Sequence, residues 1–249
     1  MKVISFTSLK GGVGKSASAL SVAAILAEKN KVLFLDLDPQ GASSCHLSDN
    51  FGEKTIRQVI KGEIMADEAI LHVEGRFDFI PAEFELSMIE MELLNAPNRE
   101  FLINEIISGL SERYDFCVID TPGDLGIMTR SALIASDIAV IPTQLERWGA
   151  RAIGVTLEVI EKLRPLKKYT KKEIREVLIP TFYANREVQN KVLPLLQENY
   201  SDILYSGMIK NSVEIQKVFS QEGEFLKPGT NSYEEYKAFT EYLLMLLNA

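Results

Sequence analysis

Short runs of consecutive apolar residues alternate along the chain with longer stretches of helical pattern. Five of these runs are rich in β-branched and aromatic residues, as in strands that are covered on both faces. They predict strands at 3–6, 32–35, 114–120, 137–142 and 177–183, and the pattern between and after them predicts helices at 15–28, 85–94, 99–112, 148–163, 188–199 and 213–220. Such alternation is typical of an α/β fold, with a mostly parallel twisted sheet and helices on both faces.

The remaining segments carry weaker patterns. Residues 77–81 predict an edge strand, 56–61 and 66–71 short helices, and 203–205 a short strand. Trp148 opens one predicted helix and is expected to pack in the core or at a subunit interface. The chain closes with an amphipathic helix at 233–247, whose apolar face consists of Tyr236, Phe239, Leu243, Leu244 and Leu247. With no internal repeat and no linker, the sequence predicts one domain over residues 1–249.

A glycine-rich loop joins the first predicted strand to the first predicted helix. Its residues are Lys10, Gly11, Gly12, Val13, Gly14, Lys15 and Ser16. Glycines let backbone N–H groups turn toward an anion, and the N-terminus of the following helix adds a positive field. The loop therefore predicts a nucleotide phosphate site, in which Lys15 reaches the terminal phosphates and the Ser16 hydroxyl ligates Mg²⁺. It differs from the common pattern at Leu9, where glycine is usual, and it carries a second lysine, Lys10.

Acidic residues follow two of the predicted strands. Asp36 and Asp38 come after the second strand, and Asp120 ends the third. Carboxylates at the carboxyl ends of parallel strands, beside a phosphate loop, are placed to hold Mg²⁺ or to orient an attacking water. The Pro-Gly turn at 121–126 can then move with the γ-phosphate. The alternative is structural: Asp36 and Asp38 cap the following turn, and Asp120 caps a helix.

Composition narrows the classes of function. The 249 residues are 46% hydrophobic and 25% charged, and the formal net charge of −8 argues against general attraction to nucleic acid. The two cysteines, Cys45 and Cys117, lack the spacing of a disulfide framework, a zinc site or an iron–sulfur cluster. No apolar run approaches the ~20 residues of a membrane span. These features predict a cytoplasmic protein.

One basic segment stands out against this acidic background. Residues 164–172 contain four lysines and one arginine. Composition alone favours a solvated loop, and the alternative is a local positive patch.

Three segments together resemble the deviant Walker A family of ATPases, which includes ParA, MinD and the nitrogenase iron protein. They are residues 10–16, 36–41 and 120–126. Lys-Gly-Gly-Val-Gly-Lys-Ser is highly specific, and Asp-Leu-Asp-Pro-Gln-Gly is characteristic of the ParA/Soj partition branch. A weaker likeness continues over nearly the whole chain, in 181–186 and in 210–213, where Ile209 replaces a proline often found in relatives. The resemblance implies a single-domain P-loop NTPase fold.

The resemblance also implies an ATPase that uses ATP and Mg²⁺ and is weak without a partner. In relatives two monomers sandwich two nucleotides, and the lysine equivalent to Lys10 crosses the interface to the phosphate held by the other subunit. The implied catalytic residues are Lys10, Lys15 and Asp38, and the implied metal site comprises Ser16, Asp38 and Asp120. Nucleotide contacts are expected from Lys10 through Ala17 and from Asn211.

The function implied by the ParA/Soj branch is DNA segregation. The ATP-bound homodimer would bind nonspecific DNA of the nucleoid and be released when a ParB-like partner stimulates hydrolysis. The loop begins about ten residues from the start, which leaves no room for the N-terminal DNA-binding domain of larger relatives. DNA contact would then go through phosphates, with a strong dependence on salt. The candidate contacts are Lys167, Lys168, Lys171, Lys172, Arg186 and Lys210.

The alternative within the family is a MinD-like regulator that acts at a membrane or positions a protein cargo. A membrane-binding helix needs a basic face, and Lys237 is the only cation of the last predicted helix, so core packing of that helix is favoured. An electron carrier like the iron protein would need cluster-bridging cysteines, which Cys45 and Cys117 do not match.

Overall fold

The computed structural model, which describes residues 1–48, 50–93, 95–146 and 149–248, contains one sheet of seven strands. The strands are β1 (Lys2–Phe6), β2 (Val32–Asp36), β3 (Leu71–His72), β4 (Asp78–Ile80), β5 (Phe116–Asp120), β6 (Ile138–Gln144) and β7 (Arg175–Thr181). Their order across the sheet is β3-β4-β2-β5-β1-β6-β7, and only the β3–β4 pair is antiparallel. The predicted α/β class is confirmed.

Helices connect and cover these strands. Over the described ranges they are α1 (Lys15–Ala27), α2 (Ala42–Leu47), α3 (Ile56–Ile60), α4 (Leu86–Leu93), α5 (Leu102–Ser108), α6 (Ile127–Ala135), α7 (Gly149–Lys167), α8 (Glu187–Tyr200), α9 (Val213–Val218) and α10 (Asn231–Asn248), with short 3₁₀ helices at Ala66–Ala69 and Arg99–Phe101. Trp148, which the sequence predicts to pack in the core or at a subunit interface, lies outside the described residues.

Both faces of the sheet are buried, which explains why its central strands are apolar at nearly every position. On β1, Ile4 and Phe6 join the core that contains α1 and α10, whereas Val3 joins the core on the opposite face. A third core, around β6 and β7, includes Ile160 of α7 and Leu196 of α8. Removing each such side chain from water stabilises the fold by about 1.5–3 kcal/mol.

The last helix packs on the core, as its apolar face predicts. Tyr236, Phe239 and Leu243 of α10 are fully or almost fully buried in the cluster that includes α1. The hydroxyl groups of Tyr236 and Ser18 lie 3.0 Å apart, and the Tyr233 hydroxyl donates to Glu28 at 2.6 Å. Among the described residues no helix is both long and apolar enough to cross a membrane.

Several local predictions are corrected by the structure. The strand predicted at 77–81 exists as β4 but is not at the edge, because β3 pairs outside it. The helix predicted at 66–71 is a 3₁₀ helix followed by β3, and the strand predicted at 203–205 is an isolated bridge between Leu178 and Leu204. Helix α7 continues past Pro165 to Lys167, because tertiary packing buries Leu163 and Lys167 and holds the last turn in place.

Candidate functional site

The glycine-rich loop lies between β1 and α1, at the carboxyl edge of the sheet. Gly12 and Gly14 have φ of 72° and 84°, in the left-handed region that glycine adopts most readily. Gly14 is the N-cap of α1, and no side chain caps that helix end. The uncapped backbone N–H groups and the helix dipole together form an anion site.

Side chains at the ends of β6 and β7 hold the glycine-rich loop by hydrogen bonds to its carbonyl groups. Nε2 of Gln144 donates to the carbonyl of Gly12 at 2.8 Å, and Oγ1 of Thr181 donates to the carbonyl of Val13 at 2.8 Å. The ring of Phe182 is so close to Gly14 that a Cβ atom there would lie 2.9 Å from it. The protein's own side chains therefore support the backbone of the loop.

Lys15 extends from the start of α1 into a pair of carboxylates. Its Nζ lies 2.8 Å from Oδ1 of Asp120 and 3.4 Å from Oδ2 of Asp38. Burial alone lowers the pKa of Lys15, but the charge and hydrogen bond of Asp120 outweigh it, and the net pKa is above 10.5. Lys15 is thus a buried cation at the phosphate loop. Asp120 also accepts a hydrogen bond from the Ser43 hydroxyl at 2.7 Å.

Asp36, the last residue of β2, and Asp38, just after it, have different surroundings. Asp36 is fully buried and accepts hydrogen bonds from the backbone N–H and the hydroxyl of Ser44 at 2.9 and 2.7 Å. It thereby holds the first turn of α2, and its Oδ1 also accepts from the N–H of Asp38 at 3.0 Å, which is the turn-capping role considered for it. Burial, followed by the charge of Asp120, raises the pKa of Asp36 to about 7. Asp38 instead reaches toward Lys15, and its Oδ1 accepts from the N–H of Gln40 at 3.0 Å.

The donor set fits Mg²⁺ that is bound together with substrate phosphates. In the described ranges no cluster of three or more His, Cys, Asp or Glu side chains could hold a metal ion. Mg²⁺ usually keeps several waters and takes one or two protein ligands together with substrate phosphates. Ser16 at the start of α1 and Asp120 at the end of β5 would supply such ligands next to Lys15.

The second lysine of the loop points to a different place. Nζ of Lys10 lies 2.5 Å from a carboxylate oxygen of Glu146 and 3.3 Å from Oε1 of Gln144. The Lys10 side chain is 32% exposed. Lys10 and Lys15 therefore have separate partners although they belong to one loop.

A pocket of about 360 Å³ opens beside the loop. It has the size of a small-molecule site and includes two residues predicted to contact nucleotide, Ala17 and Asn211. Arg186, predicted to contact DNA, lies on the same pocket. The pocket also includes residues that the sequence did not single out: Gln144, Glu146, Phe182, Gln189, Ile215, Gln216 and Phe219. A purine ring stacked on Phe182 would fit its mixed apolar and polar walls.

The basic segment divides into buried and exposed lysines, which corrects one prediction. Lys167 is buried, and its Nζ donates to the carbonyls of Leu133, Ile134 and Ser136, so it does not present its charge on the surface. Burial, followed by the charge of Lys172, lowers the pKa of Lys167 to about 8.

Lys172, like Lys167, donates to a carbonyl near the C-terminal end of α6. It is half-buried and donates to the carbonyl of Ala135 at 2.9 Å, and it also pairs with Asp137 at 3.5 Å. Lys168, Lys171 and Arg186 are exposed, and Lys210 is exposed but pairs with Glu235 at 3.2 Å.

The fold and the loop define a P-loop nucleotide-binding protein, with Lys15 and two carboxylates at the carboxyl edge of a mostly parallel sheet. The chain belongs to the AAA_31 family, described as an AAA domain, whose family model matches residues 1–176.

Individual relatives agree with this assignment. The uncharacterized protein MJECL24 of Methanocaldococcus jannaschii is 31% identical over 229 residues, which cover 87% of each chain. The sporulation initiation inhibitor protein Soj of Bacillus subtilis is 28% identical over 224 residues, again with 87% of each chain covered. A crystal structure of the plasmid partition protein BB_S35 of Borrelia burgdorferi, bound to AMPPNP, has a TM-score of 0.87 at 25% identity and covers 98% of this chain and 99% of that one. The resemblance to ParA/Soj-type ATPases is confirmed.

Proposed function

We propose that this chain is a ParA-type ATPase that segregates DNA. It binds ATP and Mg²⁺, forms a dimer around two nucleotides, and returns to the monomer when ATP is hydrolysed. The observation that carries the proposal is the divergence of the two loop lysines. Lys15 lies inside its own site against Asp120, whereas Lys10 points away to Glu146 and is partly exposed, so it is available to a second copy.

The chain's own residues account for most of the proposed chemistry. The left-handed glycines and the uncapped end of α1 bind the phosphates, and Lys15 neutralises charge on their oxygens. Asp38, which reaches the same lysine, orients the attacking water and accepts its proton. Ser16 and Asp120 would hold Mg²⁺, which would supply positive charge to the phosphate oxygens.

The proposed DNA contact is electrostatic. Lys168, Lys171 and Arg186 are exposed, and dimer formation doubles their number on one particle. Because the net charge of the chain is −8, these local cations bind phosphates against an acidic remainder, and affinity falls steeply with salt. In the ATP state the protein would associate with the nucleoid in the cytoplasm, and a ParB-like partner would release it.

A MinD-like action at a membrane has less support. Tyr236, Phe239 and Leu243, which would have to face lipid, are buried against the core. DNA segregation is therefore better supported than action at a membrane. The cargo that the ATPase moves would be determined by its partner protein.

The test is an electrophoretic shift of a random DNA duplex with ATP, compared with ADP. We expect the protein to retard the DNA duplex in the gel only with ATP. The retarded fraction of DNA should fall as the salt concentration rises. A parallel sedimentation with anionic liposomes tests the alternative: ATP-dependent pelleting with lipid but not with DNA would refute the partition function. Lys10→Ala should keep ATP binding by the monomer and lose the ATP-dependent dimer. A dimer that persists in this variant would contradict the sandwich arrangement.

A further inference from the structure

We propose that Glu146, with Gln144, is a positioning residue for Lys10: it holds this lysine within its own subunit, and dimer formation requires the pair to separate. The proposal rests on the proposed function, because it takes Lys10 as the residue that crosses to the second copy.

The geometry at the end of β6 brings the three side chains together. Gln144 uses both ends of its amide, since Nε2 donates to the carbonyl of Gly12 at 2.8 Å and Oε1 accepts from Lys10 at 3.3 Å. Glu146 takes the same ammonium group at 2.5 Å. A tight turn, with the N–H of Glu146 donating to the carbonyl of Gln144 at 2.8 Å, keeps both acceptors on one side of the lysine.

The pair lies at the rim of the pocket beside the loop. Gln144 and Glu146 contribute to this pocket together with Ala17 and Asn211. A nucleotide whose phosphates lie on the glycine-rich loop would bring negative charge near Glu146, and an opposing copy would offer Lys10 a phosphate that carries more negative charge than one carboxylate. Lys10 therefore has two anionic partners in competition, Glu146 in the same subunit and a phosphate held by the other.

The expected change in the dimerisation equilibrium follows from how exposed the Lys10–Glu146 ion pair is. The side chains of Lys10 and Glu146 are 32% and 51% exposed, and ion pairs of this kind alter an equilibrium by roughly two- to fivefold. Both subunits must give up the pair to form one dimer, so the factors multiply. Removing the carboxylate should strengthen dimerisation by about 4- to 25-fold.

The experiment is sedimentation velocity of the full chain with Mg²⁺ and ATP over a range of protein concentrations. Glu146→Gln should lower the dimer dissociation constant by that factor. Glu146→Asp, which keeps the charge on a shorter side chain, should return toward the wild-type value. Glu187→Gln is the control, because it also removes one carboxylate charge from an exposed pair, here with Lys191, without touching Lys10. The double variant Lys10→Ala/Glu146→Gln should show no gain over Lys10→Ala.

Three outcomes would overturn the proposal. If Glu146→Gln and Glu187→Gln give the same dissociation constant as wild type, Glu146 does not restrain Lys10, although the proposed function stands. If Glu146→Gln weakens ADP binding by the monomer without strengthening the dimer, Glu146 is a nucleotide contact instead. If the wild-type chain stays monomeric with ATP at every concentration, the proposed function fails and the role of Glu146 fails with it.

Discussion

Asp36 and Asp120 are register partners at the carboxyl ends of two adjacent parallel strands, and both are fully buried. Lys15 pairs with Asp120 directly, whereas Asp36 is bound by Ser44. Two carboxylates this close to each other favour one that keeps its proton. Burial and the charge of Asp120 accordingly raise the pKa of Asp36 to about 7.

This shift predicts a pH dependence of stability that Asp36→Asn removes. The folded carboxyl has a pKa of about 7, compared with an ordinary value of 3.8, so between these pH values the folded state binds the additional proton. The contribution of the Asp36 carboxyl to the free energy of unfolding is largest below about pH 4. It decreases as the pH rises to 7, by at most about 1.4 kcal/mol per pH unit. Urea denaturation at several pH values, with wild type and variant compared, measures it. Parallel curves for the two proteins would contradict the prediction.

Gly14→Ala should disrupt the phosphate loop. Alanine at a φ of 84° costs roughly 1–2 kcal/mol, and its Cβ would lie 2.9 Å from the Phe182 ring. We expect the loop to shift and the affinity for a fluorescent ATP analogue to fall about tenfold or more, since ~1.4 kcal/mol is a factor of ten.

Two further variants separate the causes at Gly14. Gly11→Ala meets no atom within 4 Å and has no positive φ, so its free energy of unfolding should be within about 0.5 kcal/mol of wild type. Gly14→Ala/Phe182→Ala removes the contact and keeps the backbone strain, so it should recover only part of the affinity. Full recovery would show that the ring alone requires glycine.

Neighbouring lysines of the basic segment should affect different properties. Lys167→Met removes a buried donor from three carbonyls and should lower the free energy of unfolding by about 2–3 kcal/mol. It should leave DNA retention with ATP unchanged. Lys168→Gln/Lys171→Gln should do the reverse, because both residues are exposed. Denaturation and gel-shift measurements on the same proteins check both statements, and loss of retention in stable Lys167→Met protein would refute the assignment.

Phe239→Ala should show that α10 is part of the core. The Phe239 side chain is fully buried, and the centroid of its ring lies 5.0 Å from the ring centroid of Tyr205. Its truncation should lower the free energy of unfolding by about 3–5 kcal/mol. Met245→Ala on the same helix is the control, since Met245 is 61% exposed and should cost less than about 0.5 kcal/mol. Equal effects would mean that α10 does not pack as described.

The fold was largely predictable because its main strands are buried on both faces. Val32, Leu33, Phe34 and Leu35 leave no polar position that would suggest another element. Strand β3 was not predictable, since it has two residues and no periodicity can be measured over them. The end of α7 was misplaced because Pro165 suggests a stop, whereas burial of Lys167 continues the helix.

The candidate site was predictable where a residue's chemistry follows from its place beside a strand. Lys15, Asp38 and Asp120 are in this group, and the structure brings them together. Ser43, Gln144 and Phe182 were missed, because their roles depend on which backbone they meet in the fold. Lys167 was assigned to the surface because composition counts charges and contains no information on depth.

The helix that follows the turn at 121–126 is held by different contacts at its two ends. Lys167 and Lys172 together bind the carbonyls of residues 133–136 at the C-terminal end of α6. At the other end the N-cap is Gly126, and Glu90 accepts one long hydrogen bond, 3.3 Å, from the N–H of Met128. The start of α6 is fixed by packing as well, since Met128 and Thr129 are fully buried, so this helix, about 13 Å long for nine residues, is held at both ends. Two of the four lysines of the segment 164–172 therefore complete the C-terminus of α6, where a helix leaves its last carbonyls without intrahelical partners.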